Sequence, residues 1–170
     1  MANMAAVGKK NKINGSLFEQ WISNSCDAYL EEETAFIEKT PEPFHIVKKG
    51  ENGIVSGYYA KAAQPDYKGI LRSGRGIAFE AKHTDTDRIK QNAVTDEQAR
   101  NLNIYHEFGA VCFVLVSMSF ESFYRVPWPV WREMKERFRH KYMSLDELKP
   151  YKICADINQI KFLEGIEALE

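Results

Sequence analysis

The sequence is poor in cysteine and has no cysteine spacing typical of a metal site. Its three cysteines, Cys26, Cys112 and Cys154, lie far apart, and most of them have apolar neighbours. An odd number of widely spaced thiols argues against a disulfide framework and against a zinc ribbon. We therefore expect buried free thiols and a reducing, cytoplasmic environment.

Long hydrophobic runs and a strong net charge are also missing. The longest apolar run, residues 110–116, is far too short to cross a membrane, so no membrane partner is expected. Residues 1–12 have no apolar core of signal-peptide length. The formal net charge of −1 gives no global signal for nucleic acid, so any such binding must use local patches.

What is present is typical of one globular domain. Hydrophobic residues make up 44% of the chain and aromatic residues 12%, which is enough for a sizeable core. We expect a single domain over residues 15–170, preceded by a flexible basic arm over residues 1–14. The arm carries Lys9, Lys10 and Lys12, and it is either a solvated tail or a contact to a phosphate backbone.

The first predicted helix covers about residues 17–33 and has an apolar stripe at helical spacing. Ser16 and Glu19 match a capping box at its start, which gives Glu19 an ordinary structural role. Residues 44–60 follow as a predicted hairpin, because Asn52-Gly53 is a strong turn signal between two apolar runs. Exposed lysines at its tip would suit a nucleic-acid probe, although a polar loop is the simpler interpretation.

The stretch from Asp66 to Lys82 predicts two strands joined by a turn at about residues 71–76. Side chains two apart on a strand leave the same face, so Glu80 and Lys82 point the same way. The first strand can bring Asp66 alongside them. Two carboxylates and an ammonium on one face suit a divalent metal and a polarised water.

Counting limits the weight of the Glu-x-Lys pattern itself. With 24 acids and 15 lysines in the chain, acid-x-Lys is expected about twice by chance, and it occurs four times. Only Glu80 and Lys82 lie in the middle of a predicted strand, so the context carries more information than the tripeptide.

A second helix is predicted over about residues 96–108, because Thr95 and Gln98 match a capping box and Gly109 can end the helix. Residues 85–94 before it are polar and predict a loop. Residues 110–118 predict a strand that is buried on both faces of a central sheet. The later elements expected are a strand at 122–126, a cation-rich helix from Pro127 or Pro129 to about residue 141 with a solvated basic face, a short helix at 145–148, a strand at 151–154 and a terminal helix at 160–169.

These pieces occur in an order that resembles the PD-(D/E)xK nuclease superfamily, with Pro65-Asp66 and Glu80-Ala81-Lys82 in place of its defining residues. More narrowly, the chain resembles the RecU-type Holliday junction resolvases of Gram-positive bacteria and their phages. The stretches that carry this resemblance are residues 15–19, 39–43, 66–69 and 79–84, and Gln98 followed by residues 109–113.

The resemblance implies an α/β fold of the restriction-endonuclease type, with a mixed β-sheet flanked by helices and a protruding hairpin, the stalk. It implies that Asp66, Glu80 and the Ala81 carbonyl bind Mg²⁺, for which Mn²⁺ can substitute. Lys82 would orient or activate the attacking water. Glu19 would be an auxiliary acid near the metal, and Gln98 would support the site.

The resemblance also implies a homodimer, in a bacterial cell or encoded by a phage, that cuts four-way DNA junctions in recombination and repair. A recombinase is a further candidate partner. Two alternatives stay open: a nuclease of the same superfamily with another DNA substrate, and a non-catalytic protein that binds DNA or modulates a recombinase. Candidate DNA contacts are Lys9, Lys10, Lys12, Lys48, Lys49, Lys61, Lys68, Arg72 and Arg75.

Two positions depart from the pattern of the resolvases. Pro65 stands where members often have threonine, which removes a hydroxyl near the metal. His83 stands where members often have an acid, which changes the charge beside the site. The predicted stalk also looks short.

Overall fold

A six-stranded mixed sheet forms the centre of the computed structural model, which describes residues 3–41, 44–59 and 64–166, with side chains from Ile13 onward except that of Tyr59. The order of its strands is β1-β4-β5-β7-β8-β10, and three two-stranded sheets pair β2 with β3, β6 with β9 and β11 with β12. The strands are β1 Ala35–Lys39, β2 Phe44–Lys49, β3 Val55–Tyr59, β4 Tyr67–Leu71, β5 Gly76–Thr84, β6 Arg88–Lys90, β7 Val111–Met118, β8 Ser122–Pro127, β9 Tyr142–Ser144, β10 Lys152–Ile153, β11 Ala155–Asp156 and β12 Gln159–Ile160.

Helices cover both faces of the central sheet, which confirms the predicted fold class. They are α1 Asn3–Glu31, α2 Asp96–Glu107, α3 Trp128–Arg132, α4 Met134–Phe138 and α5 Leu145–Leu148. Short 3-10 turns occupy Glu51–Gly53, Gln91–Ala93 and Lys149–Tyr151. In the described part of the chain, no helix has the length and apolar character needed to cross a membrane.

Alternation along the strands divides the core into two layers. On one face, Phe79 of β5 and Phe113 of β7 pack in a cluster with Phe18 and Ile22 of α1. On the other face, Val114 and its neighbours pack in a cluster with residues of α2 and α3. The strand β7 is therefore buried on both sides, as its continuous apolar sequence predicts.

The strands β5 and β7 are parallel, and the other pairs in the central sheet are antiparallel. The helix α2 connects β5 to β7 and returns the chain to the same end of the sheet, as a parallel pair requires. Its amino-terminal end therefore lies near the carboxyl end of β5. This arrangement brings Thr95 and Gln98 towards the second half of β5.

The hairpin of β2 and β3 forms a separate two-stranded sheet, as predicted. The pairing runs from Phe44↔Tyr59 to Lys49↔Val55, with an irregularity between Ile46 and Lys48. Every residue of β2 is exposed. The hairpin therefore stands away from the core as a stalk.

Several predicted boundaries are wrong. The helix α1 begins at Asn3, so residues 3–14 are helical where the sequence predicted an arm, and Ser16 cannot cap a helix that runs through it. The predicted loop at 85–94 contains β6, which pairs with β9. The cation-rich helix breaks at Glu133 into α3 and α4.

The carboxyl-terminal end also differs from the prediction. Instead of a helix from residue 160, the short hairpin of β11 and β12 is followed by turns through Ile166. Phe162 and Leu163 are buried in the α1 layer. Of the three cysteines, Cys26 and Cys112 are buried as predicted, but Cys154 is exposed.

Gly69 of β4 lies close to the backbone of β1. A Cβ there would overlap the carbonyl oxygen of Phe36 and would lie 2.7 Å from the Cα of Ile37. We expect Gly69→Ala to push the edge strand away and to destabilise the protein by about 1–3 kcal/mol, as overpacking does. The free energy of unfolding in urea measures this change.

Gly15→Ala is the matched control, because Gly15 lies inside α1 and has no atom within 4 Å of a Cβ. Alanine should stabilise that helix by up to about 1 kcal/mol. If both variants shifted the free energy of unfolding in the same direction, the close approach at Gly69 would be disproved.

Candidate active site

The register of the β4–β5 hairpin brings Asp66 opposite Glu80. Tyr67 pairs with Phe79 and Lys68 with Ala78, so the position before Tyr67 faces the position after Phe79. Directly opposite residues of an antiparallel pair share a face. Asp66 and Glu80 therefore lie on the α2 face of the sheet, and Lys82 joins them from two residues further along β5.

Lys82 lies between the two carboxylates. Its Nζ donates to Glu80 Oε2 at 2.8 Å and to Asp66 Oδ2 at 3.3 Å. The backbone N–H of Ala81 also donates to Asp66 Oδ2, at 3.0 Å. The structure thus unites the three residues that the sequence placed on one face.

Exposure differs sharply among these three side chains. Glu80 is 0% exposed and Lys82 18%, whereas Asp66 is 32% exposed. Solvent therefore reaches Asp66 and, to a lesser extent, Lys82, but not Glu80.

Gln98 connects the amino-terminal end of α2 to the cluster. Its Nε2 donates to Glu80 Oε2 at 2.5 Å. Its Oε1 accepts from the Thr95 backbone N–H, and its own N–H donates to the Thr95 hydroxyl, so the capping box is complete. One side chain therefore completes the helix cap and also contacts Glu80, and the role of Gln98 in the site stays a prediction.

Burial and charge shift the acidity of the cluster. Burial raises the pKa of Glu80 to about 8, the Lys82 ammonium opposes that rise, and the Asp66 charge adds to it. Burial lowers the pKa of Lys82, but Asp66 and Glu80 outweigh this effect and the net pKa is raised. The ammonium form of Lys82 is therefore favoured.

One oxygen of Glu80 is available to a ligand. Glu80 Oε1 is buried and has no hydrogen-bond partner among the described residues, while Oε2 accepts from both Lys82 and Gln98. A buried carboxylate oxygen without a partner is costly, and a cation or an ordered water would remove that cost. Within the described ranges, no group of three or more His, Cys, Asp and Glu side chains is placed to hold a metal. A metal here would thus need backbone or solvent ligands beside Asp66 and Glu80.

Glu19 is engaged in another contact. Its Oε2 forms an ion pair with Lys39 Nζ of β1 at 2.8 Å, and both side chains are about half exposed. Glu19 lies on the α1 side, where it lines a cavity of about 470 Å³ with Tyr67 and other residues. The structure does not give Glu19 a contact with the three-residue cluster, so its role as an auxiliary acid stays a prediction.

The predicted DNA contacts are dispersed. Lys48 and Lys49 are exposed on the stalk. Lys68 shares the face of Asp66 and donates to Gln64 Oε1 at 2.6 Å. Arg72 pairs with Glu33, and Arg75 donates to the Gly109 carbonyl. Lys61 and the side chains of Lys9, Lys10 and Lys12 lie outside the described residues.

His83 points away from the cluster. Its Nδ1 lies 3.0 Å from the Ser117 hydroxyl, and its Nε2 lies 3.2 Å from Asp85 Oδ1. Asn14 of α1 donates to the same Asp85 oxygen at 3.3 Å. Alternation puts His83 on the α1 face, so its ring does not join the three-residue cluster, and its effect on the charge beside the site stays a prediction.

This small network around Asp85 was not predicted. Its signal in the sequence is the spacing of two between His83 and Asp85 at the end of a strand. The network ties α1 to the end of β5 that carries Lys82.

Comparison with known proteins identifies similar chains. A family model described as Recombination protein U matches residues 13–169. The Holliday junction resolvase RecU of Streptococcus gordonii is 35% identical over 125 residues, which cover 68% of this chain and 60% of that protein. The protein of the same name from Staphylococcus saprophyticus is 27% identical over 179 residues, which cover 94% of this chain and 86% of that protein. Among solved structures, Hjc, a Holliday junction resolvase of Archaeoglobus fulgidus, gives a TM-score of 0.47 at 14% identity over 81% of this chain and 89% of that chain.

The raised pKa of Glu80 predicts a pH-dependent stability of the metal-free protein. The unfolded carboxyl loses its proton near pH 4.5, whereas the folded one keeps it up to about pH 8. The folded state thus binds more protons in this window, so stability falls as the pH rises through it. In EDTA, the melting temperature of the wild type should fall more steeply from pH 5 to pH 8 than that of Glu80→Gln.

Glu121→Gln serves as the control, because Glu121 is an exposed acid outside the cluster. It should follow the wild-type dependence on pH. Equal slopes for the wild type and Glu80→Gln would show that Glu80 does not titrate in this window.

Proposed function

The chain belongs to the Recombination protein U family, and from this membership and the geometry of the cluster we propose that it is a metal-dependent endonuclease that resolves four-way DNA junctions. The two relatives described above carry the name Holliday junction resolvase. We extend that activity to this chain. The reaction is hydrolysis of a phosphodiester bond in DNA during recombination and repair.

The observation that carries the proposal is the buried carboxylate of Glu80 beside Asp66 and Lys82. An acid with 0% exposure is unusual unless it is paired, and here one oxygen is paired while the other has no partner among the described residues. A purely structural role would favour full pairing of both oxygens. The arrangement therefore supports a site in which Glu80 Oε1 binds a ligand.

The donors suit a hard divalent cation. Glu80 Oε1, a carboxylate oxygen of Asp66 and the Ala81 carbonyl would hold Mg²⁺, or Mn²⁺ in its place, together with water and phosphate oxygens. Such a cation supplies charge to the phosphate and lowers the pKa of a bound water. No soft or nitrogen ligand is needed, which fits the preference of Mg²⁺ for oxygen.

The residues of the chain position the reacting groups. Lys82 donates to both carboxylates, and its ammonium can donate to an attacking water or offset charge that develops on the phosphate. Gln98 donates to Glu80 Oε2 from the helix side, as Lys82 does from the strand. Oε1 of Glu80 is left without either hydrogen bond. In-line attack of water on phosphorus would then leave a 5′-phosphate and a 3′-hydroxyl.

Resolution of a junction needs one cut on each of two opposite strands. We therefore propose a homodimer, in which one cluster per subunit is related to its partner by a two-fold axis. The exposed stalk, with Lys48 and Lys49 near its tip, is the element that would enter the centre of the junction. Lys68, on the face of Asp66, would contact phosphates beside the cluster. Binding of a recombinase and phosphate contacts from Lys9, Lys10, Lys12, Lys61, Arg72 and Arg75 remain part of the same proposal.

Asp66→Asn and Glu80→Gln should each lower junction cleavage by at least about a hundredfold, a loss typical when a residue that stabilises charge in a transition state is removed. Both changes keep side-chain size and leave the proposed phosphate contacts in place, so binding of the junction in EDTA should be retained. The measurement compares cleavage of a synthetic four-way junction, a fork, a duplex and a single strand in Mg²⁺.

Glu121→Gln again provides a control acid, and it should cleave like the wild type. Wild-type cleavage by either cluster variant would exclude Asp66 or Glu80 as a metal ligand. If the wild type cut the duplex as fast as the junction, the junction-specific part of the proposal would be wrong while the nuclease part stood.

A further inference from the structure

A second concave surface lies on the α2 side of the sheet. Its lining does not include Asp66, Glu80 or Lys82. We call it the β6–β9 groove. Its cavity measures about 760 Å³, and it lies between the β6–β9 pair and the helices α2 and α3. Its lining consists of Lys90, Gln91, Asn92, Val94, Asp96, Ala99, Asn103, Trp128, Trp131, Arg132, His140, Lys141 and Tyr142.

The charge of the β6–β9 groove is mainly positive. Lys90, Arg132 and Lys141 line it, and Asp96 is the single acid in the lining. Arg132 forms an ion pair with Glu133, with 3.6 Å between Nε and Oε1. Among the described residues, the ammonium groups of Lys90 and Lys141 have no ion-pair partner. Two unpaired lysines in one concave surface favour a ligand with negative charge.

The wall of the groove is held rigidly. Phe138, His140 and Tyr142 lie two residues apart and stack on one another, with the rings of His140 and Tyr142 3.7 Å apart. Arg88 adds a guanidinium over the ring of Tyr142 at 5.1 Å. Lys90 is the cross-strand partner of Tyr142, so this stacked column fixes the backbone that carries Lys90.

The floor is also well supported. Gln91 Nε2 donates to the carbonyls of Trp131 and Arg132, both at 2.9 Å, and so joins the β6 side to α3. Trp128 Nε1 donates to Asn103 Oδ1 of α2 at 2.8 Å. A concave surface with such fixed walls needs little rearrangement to bind a ligand.

The groove adjoins the cluster through α2. Gln98 contacts Glu80, and Asp96 and Ala99, which lie in the same first turn of α2, line the groove. Consecutive Cα atoms are about 3.8 Å apart, so the wall at Ala99 begins next to the residue that holds Glu80. The cluster and the groove therefore share the amino-terminal turn of α2.

We propose that the β6–β9 groove binds a DNA strand that flanks the scissile phosphate, with the ammonium groups of Lys90 and Lys141 on its backbone phosphates. This inference rests on the proposed nuclease function, because the cluster determines where the strand begins. It assigns a partner to Lys141 in the basic segment after Pro127, for which the sequence predicts a solvated face. The groove contacts are electrostatic and independent of base sequence, since both lysines meet phosphate.

The test is the salt dependence of junction binding in EDTA for the double variant Lys90→Gln with Lys141→Gln. Each lost phosphate contact lowers the slope of log affinity against log salt by about 0.7–0.9, so the double variant should lose about 1.4–1.8. Affinity at low salt should fall severalfold. Lys149→Gln with Lys152→Gln is the control pair, because both lysines are exposed and neither lines the groove.

Acetylation footprinting gives an independent readout. Bound junction DNA should protect Lys90 and Lys141 from an acetylating reagent and leave Lys149 and Lys152 reactive. Equal protection of Lys90 and Lys141 by a poly-glutamate peptide would overturn the assignment to DNA. It would indicate a binding site for an acidic protein instead.

The two proposals fail in different ways. A wild-type slope in the groove variant, with junction cleavage intact, would overturn the groove and leave the nuclease standing. A groove variant with the predicted slope, in a protein that cleaves no DNA, would support the groove and overturn the nuclease.

Discussion

Burial of the Glu80 carboxyl is the constraint on which the rest of the site depends. Removing a carboxylate from water is costly unless it is paired, and Lys82 and Gln98 together satisfy only one of its oxygens. The second oxygen is left for a ligand. The same burial that raises the pKa of Glu80 also makes the cluster suited to a cation, because a positive ion stabilises the charged form.

The fold supplies this burial through two layers that lie against one sheet. Phe79 packs on the α1 side, and Glu80, next to it on β5, faces α2. The register of β4 with β5 then sets Asp66 opposite Glu80 through the pairing of one hairpin. A slip of one residue would turn Glu80 into the apolar α1 layer, so the packing and the chemistry select the same register.

The hairpin and its cluster could be predicted because the information is local. Alternation with a period of two and the turn before Gly76 fix which side chains share a face, and the capping pair Thr95 and Gln98 marks the start of α2. The position of Glu19 could not be predicted in this way, since its partner Lys39 lies on the edge strand β1. The β6–β9 groove could not be predicted from the sequence for the same reason, because it depends on the pairing of two short strands that are distant in the chain.

Binding of Mn²⁺ in the absence of DNA tests the central claim most directly. In a calorimetric titration at about pH 8, the wild type should bind Mn²⁺, and Glu80→Gln should bind it at least about tenfold more weakly, as losses at metal sites commonly are. Glu121→Gln, which alters an exposed acid, should retain the wild-type affinity. Equal affinity of the wild type and Glu80→Gln for Mn²⁺ would contradict the assignment of the buried carboxylate as a metal ligand.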